Sequence, residues 1–131
     1  MSIRRLDQRM VQGPLGLMKS IAIPDDGVYV IDLGAPVTSG TLELVHNTTP
    51  AASRPCGKVR FRASASPLCA VLYQENILAT RTVELTGTTG PDGTITVSST
   101  ATGKLFVENR SGTPLGVTLI LHQAQAPLES L

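Results

Sequence analysis

The stretch Gly57-Lys58-Val59-Arg60-Phe61-Arg62-Ala63 decides how this chain folds. Apolar and basic residues take strict turns along it, with Val59, Phe61 and Ala63 set against Lys58, Arg60 and Arg62. A period of two sends alternate side chains to opposite faces of a strand, so the stretch reads as a β-strand with one face in a core and one in solvent. The alternation recurs at 94–98, where Ile95 and Val97 read as inward and Thr94, Thr96 and Ser98 as outward. Further strands are expected at 17–23, 27–33, 41–46, 68–74, 77–85, 104–109 and 115–122, and no convincing helix stands among them.

Turn signals separate these runs: Pro24-Asp25-Asp26-Gly27, Gly34-Ala35-Pro36, Gly90-Pro91-Asp92-Gly93 and Ser111-Gly112-Thr113-Pro114. Proline presets the negative φ of the first central turn position, and glycine accepts the positive φ that follows. Strands at roughly ten-residue spacing without helical crossovers predict an all-β fold, an antiparallel β-sandwich or jelly roll of about eight strands. The longer connections, 47–55 and 86–93, suit sheet-to-sheet crossings in such a fold.

A chain of 131 residues is the size of one domain. Hydrophobic residues make up 41% and charged residues only 16%, below the roughly one quarter usual in soluble domains, with Thr, Ser, Gly and Pro filling the difference. That is the composition of strands and turns. Eleven basic residues against ten acidic argue against nucleic acid as a partner, because phosphate binding needs a surplus of cations. Arg4 and Arg5 are followed by Asp7, Gln8 and Arg9, where a secretion signal needs an unbroken apolar run. No segment approaches the roughly 18 apolar residues of a membrane span. The expectation is a soluble chain made in the cytoplasm, without signal peptide or membrane partner. Cys56 and Cys69 are too few for a disulfide framework and lack the spacing of a zinc or redox site, so both are expected to stay reduced.

Three segments are expected: an N-terminal arm at 1–16, the sandwich at 17–123 and a C-terminal tail at 124–131. Within the arm Ile3, Leu6 and Met10 recur at helical intervals, but a helix that short is marginal alone and would order only by docking. On this reading Ile3, Leu6, Met10, Leu15 and Leu17 insert into a neighbour while Arg4, Arg5 and Arg9 meet its carboxylates.

Catalysis is not expected. A hydrolytic triad needs nucleophile, histidine and carboxylate, yet His46 and His122 are the only histidines and no GxSxG elbow surrounds any serine. Asp25 and Asp26 sit in a turn, where carboxylates cap backbone amides. A metal site from His46 and His122 would need their strands to pair, and nothing in the sequence requires one. No cofactor or metal is expected. Gly87-Thr88-Thr89-Gly90-Pro91-Asp92-Gly93 is glycine-rich enough for a phosphate cradle, but it lacks a GK[ST] end and leads into a strand, so it reads as a loop with a hairpin turn. Lys58, Arg60 and Arg62 form a basic face that suits an anionic partner; the plainer reading is a solvated face paired across strands to Glu43 or Glu84. With no Trp, and with Phe61 and Tyr73 on core-like strands, an aromatic platform for sugars is hard to assemble.

The segment 86–121 carries a resemblance. Its Thr86-to-Val97 run, Thr-Gly-Thr-Thr-Gly-Pro-Asp-Gly-Thr-Ile-Thr-Val, and the later Gly-Lys-Leu-Phe-Val-Glu-Asn-Arg-Ser-Gly, before a last apolar strand, resemble head-decoration and fibre domains of tailed bacteriophages. The likeness covers about a quarter of the chain and carries over no binding residues. It implies a virion structural protein, a capsid-decoration or head-fibre subunit docking on a major capsid or tail protein through its N-terminal segment. It also implies a homo-oligomer, a trimer first, located on the virion. The rival reading is a tail-fibre or receptor-binding domain, adhesin-like, with recognition on the loops 47–55 and 86–93.

Overall fold

The computed structural model describes residues 15–34, 38–46, 57–74 and 78–123. Nine strands build it: β1 (Leu15–Ile23), β2 (Gly27–Asp32), β3 (Thr38–His46), β4 (Gly57–Ala63), β5 (Leu68–Gln74), β6 (Leu78–Arg81), β7 (Ile95–Ser99), β8 (Lys104–Asn109) and β9 (Leu115–Gln123). They form a five-stranded sheet in the order β1-β9-β3-β4-β5 and a four-stranded sheet in the order β2-β8-β7-β6. The fold is an all-β sandwich. None of the described residues is helical, so none of them forms a helix long and apolar enough to cross a membrane.

Periodicity explains the core. In β4, Val59 and Phe61 point inward while Arg60 and Arg62 are exposed, as their alternation requires. β9 repeats the pattern with Leu115, Val117, Leu119 and Leu121 buried. Against these the smaller sheet packs Leu78, Ile95, Val97, Leu105 and Val107. β9 is the strand that makes the larger sheet continuous, because it pairs with β1 on one side and β3 on the other. Pairing of first strand with last and second with next-to-last (β1 with β9, β2 with β8) is the wrapping of a jelly roll. The middle departs from it: β3, β4 and β5 stay together as an antiparallel meander in one sheet. The connection at 47–55 therefore joins neighbours in one sheet and is not a crossing between sheets.

The second long connection also differs from the expectation. β6 and β7 pair in parallel, with Leu78 opposite Ile95, so the intervening chain must cross over within the smaller sheet. Such crossovers are usually helical; here residues 82–94 make it as an irregular segment. The expected strand at 77–85 is consequently short, ending at Arg81, and Leu85 is buried beyond it. The crossover lies over the outer face of β7 and β8. Thr96 and Ser98, expected to meet solvent, are instead completely buried, and so are Glu108 and, nearly, Phe106 on the same face of β8. The molecule thus has a partial third layer.

β1 begins at Leu15, two residues before the expected edge of the sandwich, and Leu15 and Leu17 pair there with Gln123 and Leu121. Ile3, Arg4, Arg5, Leu6, Arg9 and Met10, with the rest of the expected arm up to residue 14, lie outside the described residues, as do the whole 47–55 connection, Cys56 and the tail 124–131.

Candidate functional site

A crossover without a helix leaves backbone polar groups that need partners, and burying them unpaired is costly. Two residues of β8 and its exit, Glu108 and Arg110, supply most of those partners. The Glu108 carboxylate accepts the amides of Gly87 and Thr89 at Oε2 (2.8 and 3.0 Å) and that of Gly90 at Oε1 (2.6 Å). The glycine-rich loop is therefore an anion cradle, a concavity of backbone N–H groups, filled by the chain's own carboxylate. Gly90 is required by close approach, since a Cβ there would strike Thr96 Oγ1 and come within 2.8 Å of Glu108 Oε1. Gly87 takes a φ of 109°, a region that favours glycine.

Arg110 clasps the same loop from outside. Its Nη1 donates to the carbonyl of Gly90 at 3.0 Å, and its Nε donates to Asp26 Oδ1 at 3.1 Å. The Asp26 hydrogen bond and the nearby Asp92 hold the guanidinium pKa above its ordinary value, so the clasp is charged throughout the useful pH range. Asn109 serves the opposite rim. Its Nδ2 donates to the carbonyls of Ile23 and Thr113, and its Oδ1 accepts the amide and hydroxyl of Ser111. The turn at 24–27 closes with the Gly27 amide on the Pro24 carbonyl; Asp26, not Gly27, takes the positive φ of 57°. Asp25 caps the Gly112 amide as a turn carboxylate should, while Asp26 pairs with Arg110 instead.

The histidines do not converge. Their strands do pair, but His46 lies opposite Val117 and His122 opposite Thr41, five residues apart along β3, or about 17 Å at strand rise. Among the described residues no group of three or more His, Cys, Asp or Glu is placed to hold a metal ion. Cys69 is a free thiol on β5, with Sγ 3.5 Å from the Val97 carbonyl that accepts it, and burial pushes its pKa up to about 12.

What remains facing outward is the basic face of β4. Lys58, Arg60 and Arg62 lie side by side on the outer surface of the larger sheet, opposite Glu43, Thr41 and Ser39 of β3. Glu84 is on the crossover, which packs on the smaller sheet. Glu43 opposes Lys58, yet its carboxylate accepts the Tyr73 hydroxyl at 2.7 Å. Tyr73 is thus an outer-face residue, about half exposed, and not part of the core. Among the described residues neither Arg60 nor Arg62 has an ion-pair partner; Arg62 is oriented by its Nε donating to the Ser66 carbonyl at 2.9 Å. Around them the surface hollows into a cavity of about 360 Å³, lined by the side chains of Ser39, Thr41, Arg60, Arg62 and Leu68 and floored by Gly40 and the inward-turned Phe61. The sequence signals the two arginines through their spacing; the hydroxyls and Leu68 join them only through strand register. No protein-family model matches the chain, and neither a curated protein nor a solved structure matches it.

Proposed function

We propose that this chain is a non-catalytic structural subunit of a virion, a capsid-decoration or head-fibre protein. It attaches to a major capsid or tail protein and works as a homo-oligomer, with a trimer as the first expectation. The observation that carries this reading is the use made of the buried polar side chains. Glu108, Asn109, Ser98 and Ser99 are all buried, and each is spent on a backbone group of the fold. A scaffold of that kind acts through its surfaces. The likeness of 86–121 to phage head-decoration and fibre domains supports the virion setting, and two of the residues behind that likeness, Glu108 and Arg110, hold the crossover down.

Docking falls to the N-terminal segment, with Ile3, Leu6 and Met10 as apolar anchors and Arg4, Arg5 and Arg9 as partners for carboxylates, ordering on attachment. The test compares the full chain with a variant lacking residues 1–14, by mass in solution and by binding to purified phage shells and tails. The expected outcome is an oligomer that binds shells stoichiometrically, and a deletion variant that keeps its cooperative unfolding but no longer attaches. A monomer that binds neither shells nor tails overturns the proposal.

The adhesin-like alternative keeps one observation in its favour, the cavity over Arg60 and Arg62. Its original location on the loop 86–93 is weakened, because the inward amides and carbonyls of that loop are already engaged by Glu108 and Arg110.

A further inference from the structure

The cavity on the outer face of the larger sheet combines features that a merely solvated face does not need. Arg60 and Arg62 stand two residues apart on one strand, about 7 Å along it, both exposed and both without a carboxylate among the described residues. Cross-strand register sets a hydroxyl beside each: Thr41 opposite Arg60 and Ser39 opposite Arg62. On the far side Leu68 opposes Arg62 and closes the hollow with an apolar wall. The described strands bring one carboxylate to this face, Glu43, which is one row away and held by Tyr73. His122 continues the row of Thr41 and Arg60. The result is a concave, net-positive site rich in donors.

We infer that this cavity binds a small carboxylate ligand of the sugar-acid class. The inference goes beyond the virion reading and does not depend on it. The guanidinium is a planar fork that matches the two oxygens of a carboxylate. Phosphate sites more often recruit backbone amides at a helix N-terminus or nest. In this sheet the amides of β3 and β4 are committed to their neighbouring strands, and the nest at 87–90 is filled by Glu108. The volume, about 360 Å³, lies at the small end of ligand sites, enough for one or two sugar units. Ser39 and Thr41 add partners for sugar hydroxyls. Phe61 also lines the hollow, but its side chain is turned inward and buried in the core, so a neutral sugar meets no ring face to stack on and recognition must come through charge.

The test is an NMR titration of the full chain with sodium glucuronate and N-acetylneuraminate, alongside glucose, sodium sulfate and an Asp-Glu dipeptide. Expected are saturable shifts of the Thr41, Arg60 and Leu68 amides by a sugar acid in the millimolar range, none by glucose, and much weaker effects of sulfate and dipeptide. Arg60→Gln should weaken binding at least tenfold, Arg60→Lys should recover part of it, and Lys58→Gln, one row away, should change it less than twofold. Both arginines are exposed, so the variants should keep the parent's thermal midpoint, which verifies that binding and not folding has changed. Equal binding of glucuronate and sulfate, tighter binding of the acidic dipeptide, or unchanged binding in an Arg60→Gln/Arg62→Gln double variant would each overturn the assignment.

Discussion

Glu108 is an ionisable side chain without solvent contact, and it faces three backbone donors. A carboxylate offers two oxygens with several lone pairs, so one side chain satisfies what an irregular crossover otherwise leaves unpaired. Glu108→Ala strands three amides, at about 1 to 3 kcal/mol each. The expected loss is roughly 3 kcal/mol or more, seen as a lower urea midpoint at unchanged slope. Glu108→Gln keeps the shape but turns a donor toward donors, so it too should destabilise; a variant within 0.5 kcal/mol of the parent, on the order of a neutral surface change, contradicts the role given to this residue. Cys69 gives a pH prediction. Its thiol is held up at about 12 against an ordinary 9.0. Below pH 9 both folded and unfolded chains keep the proton and the thiol's contribution is fully present. As pH rises from about 9 toward about 12 the unfolded chain ionises while the fold does not, so stability falls by at most about 1.4 kcal/mol per pH unit. The alkaline part of the urea-midpoint profile should flatten in Cys69→Val, and parallel profiles would assign the slope to other groups.

At the scale of elements, the crossover at 82–94 is where the fold depends on specific residues more than on pattern. It lies over β7 and β8, buries Leu85, and receives the Ser98 hydroxyl on the Val83 carbonyl. Arg110 clips its outer turn to the turn at 24–27. Cutting that clip should loosen the crossover without opening the sheet. In Arg110→Ala, hydrogen exchange at the Gly87 and Thr89 amides should accelerate at least tenfold while the β8 amides keep their protection, as expected of a local opening. Gly90→Ala tests the close approach from the other side: the added methyl has no room against Thr96, and overpacking of this kind usually costs about 1 to 3 kcal/mol.

For the whole molecule, the larger sheet is closed by its last strand. Among the described residues β1 pairs only with β9, and β9 also covers β3, so the first and last strands must meet before that sheet is complete. Pairs as distant as Leu15 and Gln123 make for high contact order, which slows folding to milliseconds or seconds. Stopped-flow refolding should therefore show a rate far below that of a helical domain of equal length. Removing residues 115–131 should abolish cooperative unfolding altogether, because β1 and β3 lose their shared neighbour and Val117, Leu119 and Leu121 leave the core. A truncated chain with a sharp thermal transition would show that β9 is dispensable.

The alternation of Val59, Phe61 and Ala63 with Lys58, Arg60 and Arg62 was enough, by itself, to place a strand, its buried face and its basic face, and the same holds for β9. The place of the turn from Pro24 to Gly27 was equally legible, though its positive φ falls on Asp26 and not on the glycine. Each is a local property, written in backbone geometry over a few residues. Which faces are covered is not local. Thr96 and Ser98 read as solvent-facing because nothing near them in sequence announces that residues 82–94 return across them. Glu108 finds its donors 18 to 21 positions earlier in the chain. The parallel pairing of β6 with β7, the separation of His46 from His122, and the gathering of Ser39, Thr41 and Leu68 about the two arginines were likewise decided by register between strands. Register depends on which faces of several strands are buried together and on the turns that join them, so it is settled between segments and not within any one of them.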